Sequence, residues 1–133
     1  MARILIAEDD DAIRALIARA LLQDGHDVMT ANDGAEALDV VVREQGAFEL
    51  LLTDIRMPVM DGIALALAVA RDHPDITILL MTGYADQRER ASGLNTLIHD
   101  VITKPFTLAT IRAAVSTALA SGAQRRATRI SNP

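Results

Sequence analysis

Apolar residues in this chain gather into five short runs at fairly regular intervals: Ile4–Ala7, Val28–Ala31, Leu50–Thr53, Ile78–Met81 and Val101–Lys104. Several are continuous rather than alternating, as strands covered on both faces should be. Between the runs, apolar positions recur at the helical period. Ile13, Leu16, Ile17, Ala20 and Leu21 share one face of a helix closed by Gly25. Asp33 is placed to cap a second helix, with Leu38, Val41 and Val42 inward and Gly46 near its end. A third helix follows Asp61-Gly62 and stops at His73-Pro74, and a last one begins near Thr107 and buries Leu108, Ile111, Val115 and Leu119. The stretch from Asp86 to Gly93 is the poorest helix, mostly polar with little to bury, which predicts a mobile or partner-facing element. Strands alternating with helices at this spacing predict the α/β class, with a doubly wound, five-stranded parallel sheet.

Composition narrows the class. A chain of 133 residues fits one domain, here residues 1–121. Residues 122–133 carry three arginines and no apolar period, and read as a short disordered tail. Aromatics make up 2% of the chain and the net charge is −5, which argues against base stacking and against attraction to a nucleic-acid backbone. Cysteine is absent, which excludes disulfides and thiolate metal sites and fits a reducing compartment. The N-terminal apolar run is too short for a signal peptide, and Ile63–Ala70 is too short to span a membrane. The reading is a cytoplasmic protein without membrane insertion.

The strand ends carry the chemistry. In an open parallel sheet, sites form beyond the carboxyl ends of the strands. The first run exits into Glu8, Asp9 and Asp10, the third ends at Asp54, the fourth at Thr82 and the fifth at Lys104. Two carboxylates about 4 Å apart repel by roughly 4 kcal/mol at an effective dielectric near 20. A hard divalent ion such as Mg²⁺, bound by a few carboxylates and several waters, removes that conflict. Lys104 adds a fixed positive charge and Thr82 a hydroxyl donor. Together these groups suit a place where phosphoryl oxygens are neutralised, with Asp54 as the nucleophile that accepts the group. His26, His73 and His99 have no ligand spacing and are assigned no chemistry.

The set "AEDD", "LLTDIRMPVMDG", "LLMTGY" and "TKPF" strongly resembles the receiver domain of bacterial two-component response regulators, the CheY-like fold, over residues 2–121. The resemblance implies a flavodoxin-like (βα)5 domain with strand order 2-1-3-4-5. It implies phosphorylation of Asp54 by a histidine kinase or a histidine phosphotransfer protein. Asp9 would be a direct Mg²⁺ ligand beside Asp54, Glu8 would act largely through water, and the Arg56 carbonyl would complete the set. Thr82 and Lys104 would contact the phosphoryl group, Gly83 and Tyr84 would lie in the switching loop, and the Lys104-Pro105 bond would be cis. Such a domain signals and is not an enzyme beyond assisting its own phosphotransfer and dephosphorylation.

Two departures stand out. Many receivers carry an aromatic residue where Val101 stands, and a short branched side chain cannot swing between buried and exposed poses. Arg56 and Tyr84 occupy positions that tend to tune loss of the phosphoryl group, and their bulk is expected to crowd water and prolong the acyl phosphate. With no output domain in view, the message is expected to leave through the polar helix, the fifth strand and the last helix. "MTGYADQRERA" followed by "HDVITKPF" resembles the CpdR-like single-domain regulators. That branch implies that the unphosphorylated form engages ClpX of the ClpXP protease. A phosphate sink without a downstream partner is the alternative. An aspartate-nucleophile hydrolase is disfavoured because Arg56 stands where such enzymes place a second aspartate.

Overall fold

The computed structural model describes residues 2–83, 91 and 93–131, the last three of these as main chain only. Its elements are β1 (Arg3–Ala7), α1 (Asp11–Gln23), β2 (Asp27–Ala31), α2 (Gly34–Arg43), β3 (Leu50–Asp54), α3 (Gly62–Asp72), β4 (Thr77–Thr82), β5 (Asp100–Thr103) and α4 (Leu108–Ser131). Tyr84 and most of the polar stretch between Asp86 and Gly93 lie outside the described residues.

The five strands form one parallel sheet in the order β2-β1-β3-β4-β5. β3 and β4 are buried along their whole length, whereas the edge strands expose Asp27 and Thr30 of β2 and Asp100 and Thr103 of β5. Side chains along a strand point to opposite faces in turn, and this divides the core in two. On one face Leu5, Leu51, Ile78 and Leu80 meet Val40 and Val41 of α2 and Leu65 and Val69 of α3. On the other, Ile4, Ile6, Leu50, Leu52 and Leu79 meet Ile17 and Leu21 of α1 and Ile111 and Val115 of α4. Each aliphatic side chain taken fully out of water contributes roughly 1.5–3 kcal/mol.

Helix starts are fixed by aspartates. Asp10 accepts from the Ala12 and Ile13 amides, Asp33 from Glu36 N and Asp61 from Ala64 N, all at 2.8–3.0 Å.

Three expectations need correction. Leu16 is 52% exposed, although its period places it inward. Val42 is 63% exposed and Val40 is buried in its place. The three consecutive valines fit two helical phases, and Ala37, Val40 and Val41 are the set that faces the sheet. The third correction concerns the C-terminus, where α4 continues to Ser131 rather than giving way to a disordered tail at residue 122. Gly122 is buried against Thr77, and Arg125 and Arg126 donate to the Asp75 carbonyl at 3.4 and 3.2 Å. These contacts are polar and non-periodic, so a search for apolar periodicity passes over them.

Candidate functional site

The register of the sheet brings the strand ends together. Asp54 pairs with Met81, Thr82 pairs with Thr103, and Ala7 pairs with Thr53. Glu8 therefore leaves β1 beside the end of β3, and Lys104 follows β5 one residue past Thr82's partner. The Lys104 amide donates to the Thr82 carbonyl at 2.7 Å, and the Lys104-Pro105 bond is cis.

Lys104 Nζ donates to Asp54 Oδ2 at 2.8 Å and to Glu8 Oε1 at 3.0 Å. One ammonium thus holds two carboxylates that are almost fully buried. Glu8, Asp9 and Asp54 each offer a carboxylate oxygen, and these atoms all lie within 4.8 Å of one another. Asp9 is exposed, so the cluster opens to solvent on its side. Asp10 and Asp11 stand apart: Asp10 caps α1, and Asp11 pairs with Arg14 at 2.6 Å.

Electrostatics in this cluster are unbalanced. Burial raises the Glu8 pKa to about 7, and the nearby Asp54 charge adds to this while the Lys104 hydrogen bond works against it. For Lys104, burial works to lower the pKa, but hydrogen bonds to Asp54 and Glu8 outweigh it and hold the ammonium above its ordinary value. When Glu8 gives up its proton, three carboxylates face the one Lys104 ammonium, an excess of two negative charges that one divalent cation matches. An all-oxygen donor set of this kind suits Mg²⁺ rather than a thiophilic metal.

The loop after Asp54 is tied down by its own main chain. Ile55 N donates to Met81 O at 3.0 Å, Gly62 N to Ile55 O at 2.7 Å and Gly34 N to Met60 O at 3.1 Å. Gly62 and Gly34 are more than turn formers: a β-carbon at Gly62 would collide with the Asp54 carbonyl, and one at Gly34 with the Met60 carbonyl.

A cleft of about 830 Å³ opens over the cluster, lined in part by Glu8, Asp9, Asp54, Arg56, Gly83 and Lys104. Thr82 is buried at its β4 end. Gly83 is not sterically required, since a β-carbon there would meet Lys104 Cβ at an ordinary 3.6 Å. Val101 is half-buried against the core and pairs with Leu80. Sequence reasoning missed the apolar wall of this cleft, formed by Ile13, Leu16 and Phe106. The signal was present in the Ile13–Leu16 spacing and in Phe106 directly after Lys104-Pro105. It also missed Arg14, whose Nη1 donates to the Glu8 carbonyl at 2.9 Å.

Residues 4–116 match the response regulator receiver domain, and the chain belongs to that family, whose members are phosphorylated on an aspartate in two-component signalling. It is 37% identical over 106 residues to the response regulator MprA of Mycobacterium leprae, a match spanning 80% of this chain and 46% of that protein. The chain thus covers about half the length of such curated relatives. Among solved structures it is similar to a CheY-like receiver domain protein of Methanospirillum hungatei (TM-score 0.85, 28% identity, 94% of this chain and 98% of that one). It is also similar to TrrA of Thermotoga maritima, crystallised in complex with Mg²⁺-BeF (TM-score 0.77, 29% identity, 89% and 99%). No helix among the described residues is long and apolar enough to cross a membrane.

Proposed function

We propose that Asp54 is the residue of this receiver that takes up a phosphoryl group, and that a histidine kinase or histidine phosphotransfer protein supplies it. The observation that carries this reading is Lys104 Nζ at 2.8 Å from Asp54 Oδ2, with Glu8 and Asp9 converging on the same carboxylate. An Asp54 oxygen attacks the phosphorus of a phosphohistidine. The P–O bond forms as the P–N bond breaks, and the imidazole leaves and takes up a proton.

Lys104 swings from its carboxylates toward a phosphoryl oxygen, and Thr82 offers its hydroxyl from the neighbouring strand end. Glu8, Asp9 and Asp54, with the Arg56 carbonyl, would hold Mg²⁺. When bound, the ion supplies the positive charge that lets carboxylates and phosphoryl oxygens share the cleft. The Mg²⁺-BeF complex of TrrA supports the same assignment by similarity. Arg56 stands exposed at the cleft and slows water's approach to the acyl phosphate, a role it would share with Tyr84.

The finer reading concerns the partner. The segment "HDVITKPF" and the polar stretch before it support a CpdR-like role in the cytoplasm. In that role the unphosphorylated domain engages ClpX of the ClpXP protease and phosphorylation releases it. Val101, which lacks the aromatic switch, fits a readout through surface charge and loop position. The test follows the phosphoryl group from a phosphorylated histidine phosphotransfer protein to wild type and to Asp54→Ala, then measures purified ClpX binding to each form. Transfer to wild type alone, with ClpX preferring the unphosphorylated form, supports both parts. Transfer without any ClpX binding leaves the receiver assignment standing and removes the protease role in favour of a phosphate sink.

A further inference from the structure

A second cavity lies at the opposite end of the sheet from Asp54. It has a volume of about 290 Å³ and sits between the foot of β4, the segment leading into β5 and the far end of α4. Ile76 and Leu97 give it an apolar wall, while Thr77, Thr96, His99 and Arg125 supply polar groups.

α4 reaches this cavity because it runs past residue 121 and brings Arg125 to its edge. Gly122 lets the helix close on Thr77, where a β-carbon would collide with the hydroxyl. One turn later, Arg125 Nη2 donates to Thr77 Oγ1 at 3.2 Å and to the Asp75 carbonyl at 3.4 Å. Thr77 is 2% exposed, so the guanidinium is anchored to a buried group. Both acceptors are neutral. Among the described residues no carboxylate pairs with Arg125, and its Nη1 and Nε meet no protein acceptor and face solvent from an exposed side chain. An anchored guanidinium with spare donors at the edge of a cavity lined by both polar and apolar groups matches one planar anion: its fork geometry fits a carboxylate through two parallel hydrogen bonds.

We propose that this cavity binds a carboxylate carried on a compact apolar body, with Arg125 taking the charge, Thr96 and His99 beside it, and Ile76 and Leu97 covering the apolar part. The carboxylate comes from a small branched-chain acid or from the free end of a peptide. The docked extension of α4 is then a wall of a binding site rather than a spare tail. This site does not depend on the chemistry proposed for Asp54.

The test is an amide-resolved NMR titration of the full ¹⁵N-labelled chain in magnesium-free buffer at constant ionic strength. The probes are 4-methylpentanoate and acetyl-Ala-Ala-Leu, each compared with its neutral amide. Saturable shifts at Thr77, Ile78 and Leu97–His99 are expected with the free carboxylates and not with the amides. Binding should weaken about tenfold in Arg125→Gln, the loss of one charge-assisted hydrogen-bonded pair, and persist in Asp54→Asn. Whichever probe binds more tightly identifies the source of the carboxylate. Gly122→Ala, which pushes the helix off Thr77, should also abolish the shifts while β1 resonances stay in place. Absence of saturable shifts with both acids, equal shifts with the amides, or unweakened binding in Arg125→Gln would overturn the proposal.

Discussion

Gly62 lies so close to Asp54 that a β-carbon on the glycine would collide with the Asp54 carbonyl oxygen. The same glycine donates its amide to Ile55 O at 2.7 Å, so the first turn of α3 is clamped directly onto the end of β3. Gly62→Ala must therefore push the Asp54 main chain or the start of α3 aside. The expected cost is about 1–3 kcal/mol, as for overpacking in other cores, read as a lower urea midpoint at an unchanged slope. Phosphoryl uptake should fall with it, because Asp54 moves relative to Lys104. An alanine variant as stable as wild type would show that the loop has slack that the contact denies.

Lys104→Met removes the ammonium between Glu8 and Asp54 while keeping most of the side-chain volume. Two buried carboxylates then face each other without a counter-charge. The variant should lose about 1–3 kcal/mol at neutral pH and most of its phosphoryl uptake. The deficit should grow above neutral pH and shrink as pH falls below about 7, where Glu8 takes up a proton and the repulsion ends. A deficit independent of pH would mean that Lys104 acts through packing alone.

Burial first, and then the Asp54 charge, hold the Glu8 pKa at about 7 in the metal-free protein, although the Lys104 hydrogen bond opposes them. The folded chain then keeps a proton that the unfolded chain, with an ordinary carboxyl near 4.5, gives up between those two values. Metal-free stability conferred by Glu8 is thus fully present below the lower value and is lost as pH rises through about 7. Magnesium needs the ionised carboxylate, so proton and metal compete. Calorimetric Mg²⁺ affinity should weaken as pH falls from 8 to 6, approaching about tenfold per pH unit in the one-proton limit. Affinity that stays flat across this range would remove Glu8 from the metal site.

Arg56 is exposed on the tied loop just past Asp54 and lines the cleft. If its side chain shields the acyl phosphate from water, Arg56→Ala should shorten the lifetime of the phosphorylated form several-fold without changing stability by more than about 0.5 kcal/mol. Decay at the wild-type rate, followed by intact mass after removal of the donor, would assign the shielding elsewhere.

Much of this molecule is written in residue types. Continuous runs such as "ILIA" and "LLLT" can satisfy only strands covered on both faces, and β1, β3 and β4 lie within a residue or two of them. Glu8, Asp54, Thr82 and Lys104 stood out because a packing argument has no use for them at strand ends, and the parallel register places all four at one edge. Asp33 was legible as a cap because its side chain accepts from Glu36 N at 2.8 Å, three residues on. What escaped the sequence were features set by distant parts of the chain. The phase of α2 could not be chosen within Val40, Val41 and Val42, since the deciding contact is with the sheet. A glycine and paired arginines after residue 121 look like a helix ending, and only their fit onto Asp75 and Thr77 keeps the helix going. The clamp of Gly62 on Asp54 was equally hidden, since a turn glycine and a close-contact glycine are spelled alike.

The most direct measurement is intact and peptide-level mass spectrometry after incubation with acetyl phosphate and Mg²⁺. Wild type should gain one phosphoryl group located on Asp54, the gain should vanish when Mg²⁺ is chelated, and Asp54→Ala should gain none. An unlabelled wild type, or a phosphoryl group that persists in Asp54→Ala, would contradict the assignment of Asp54 as the phosphoacceptor.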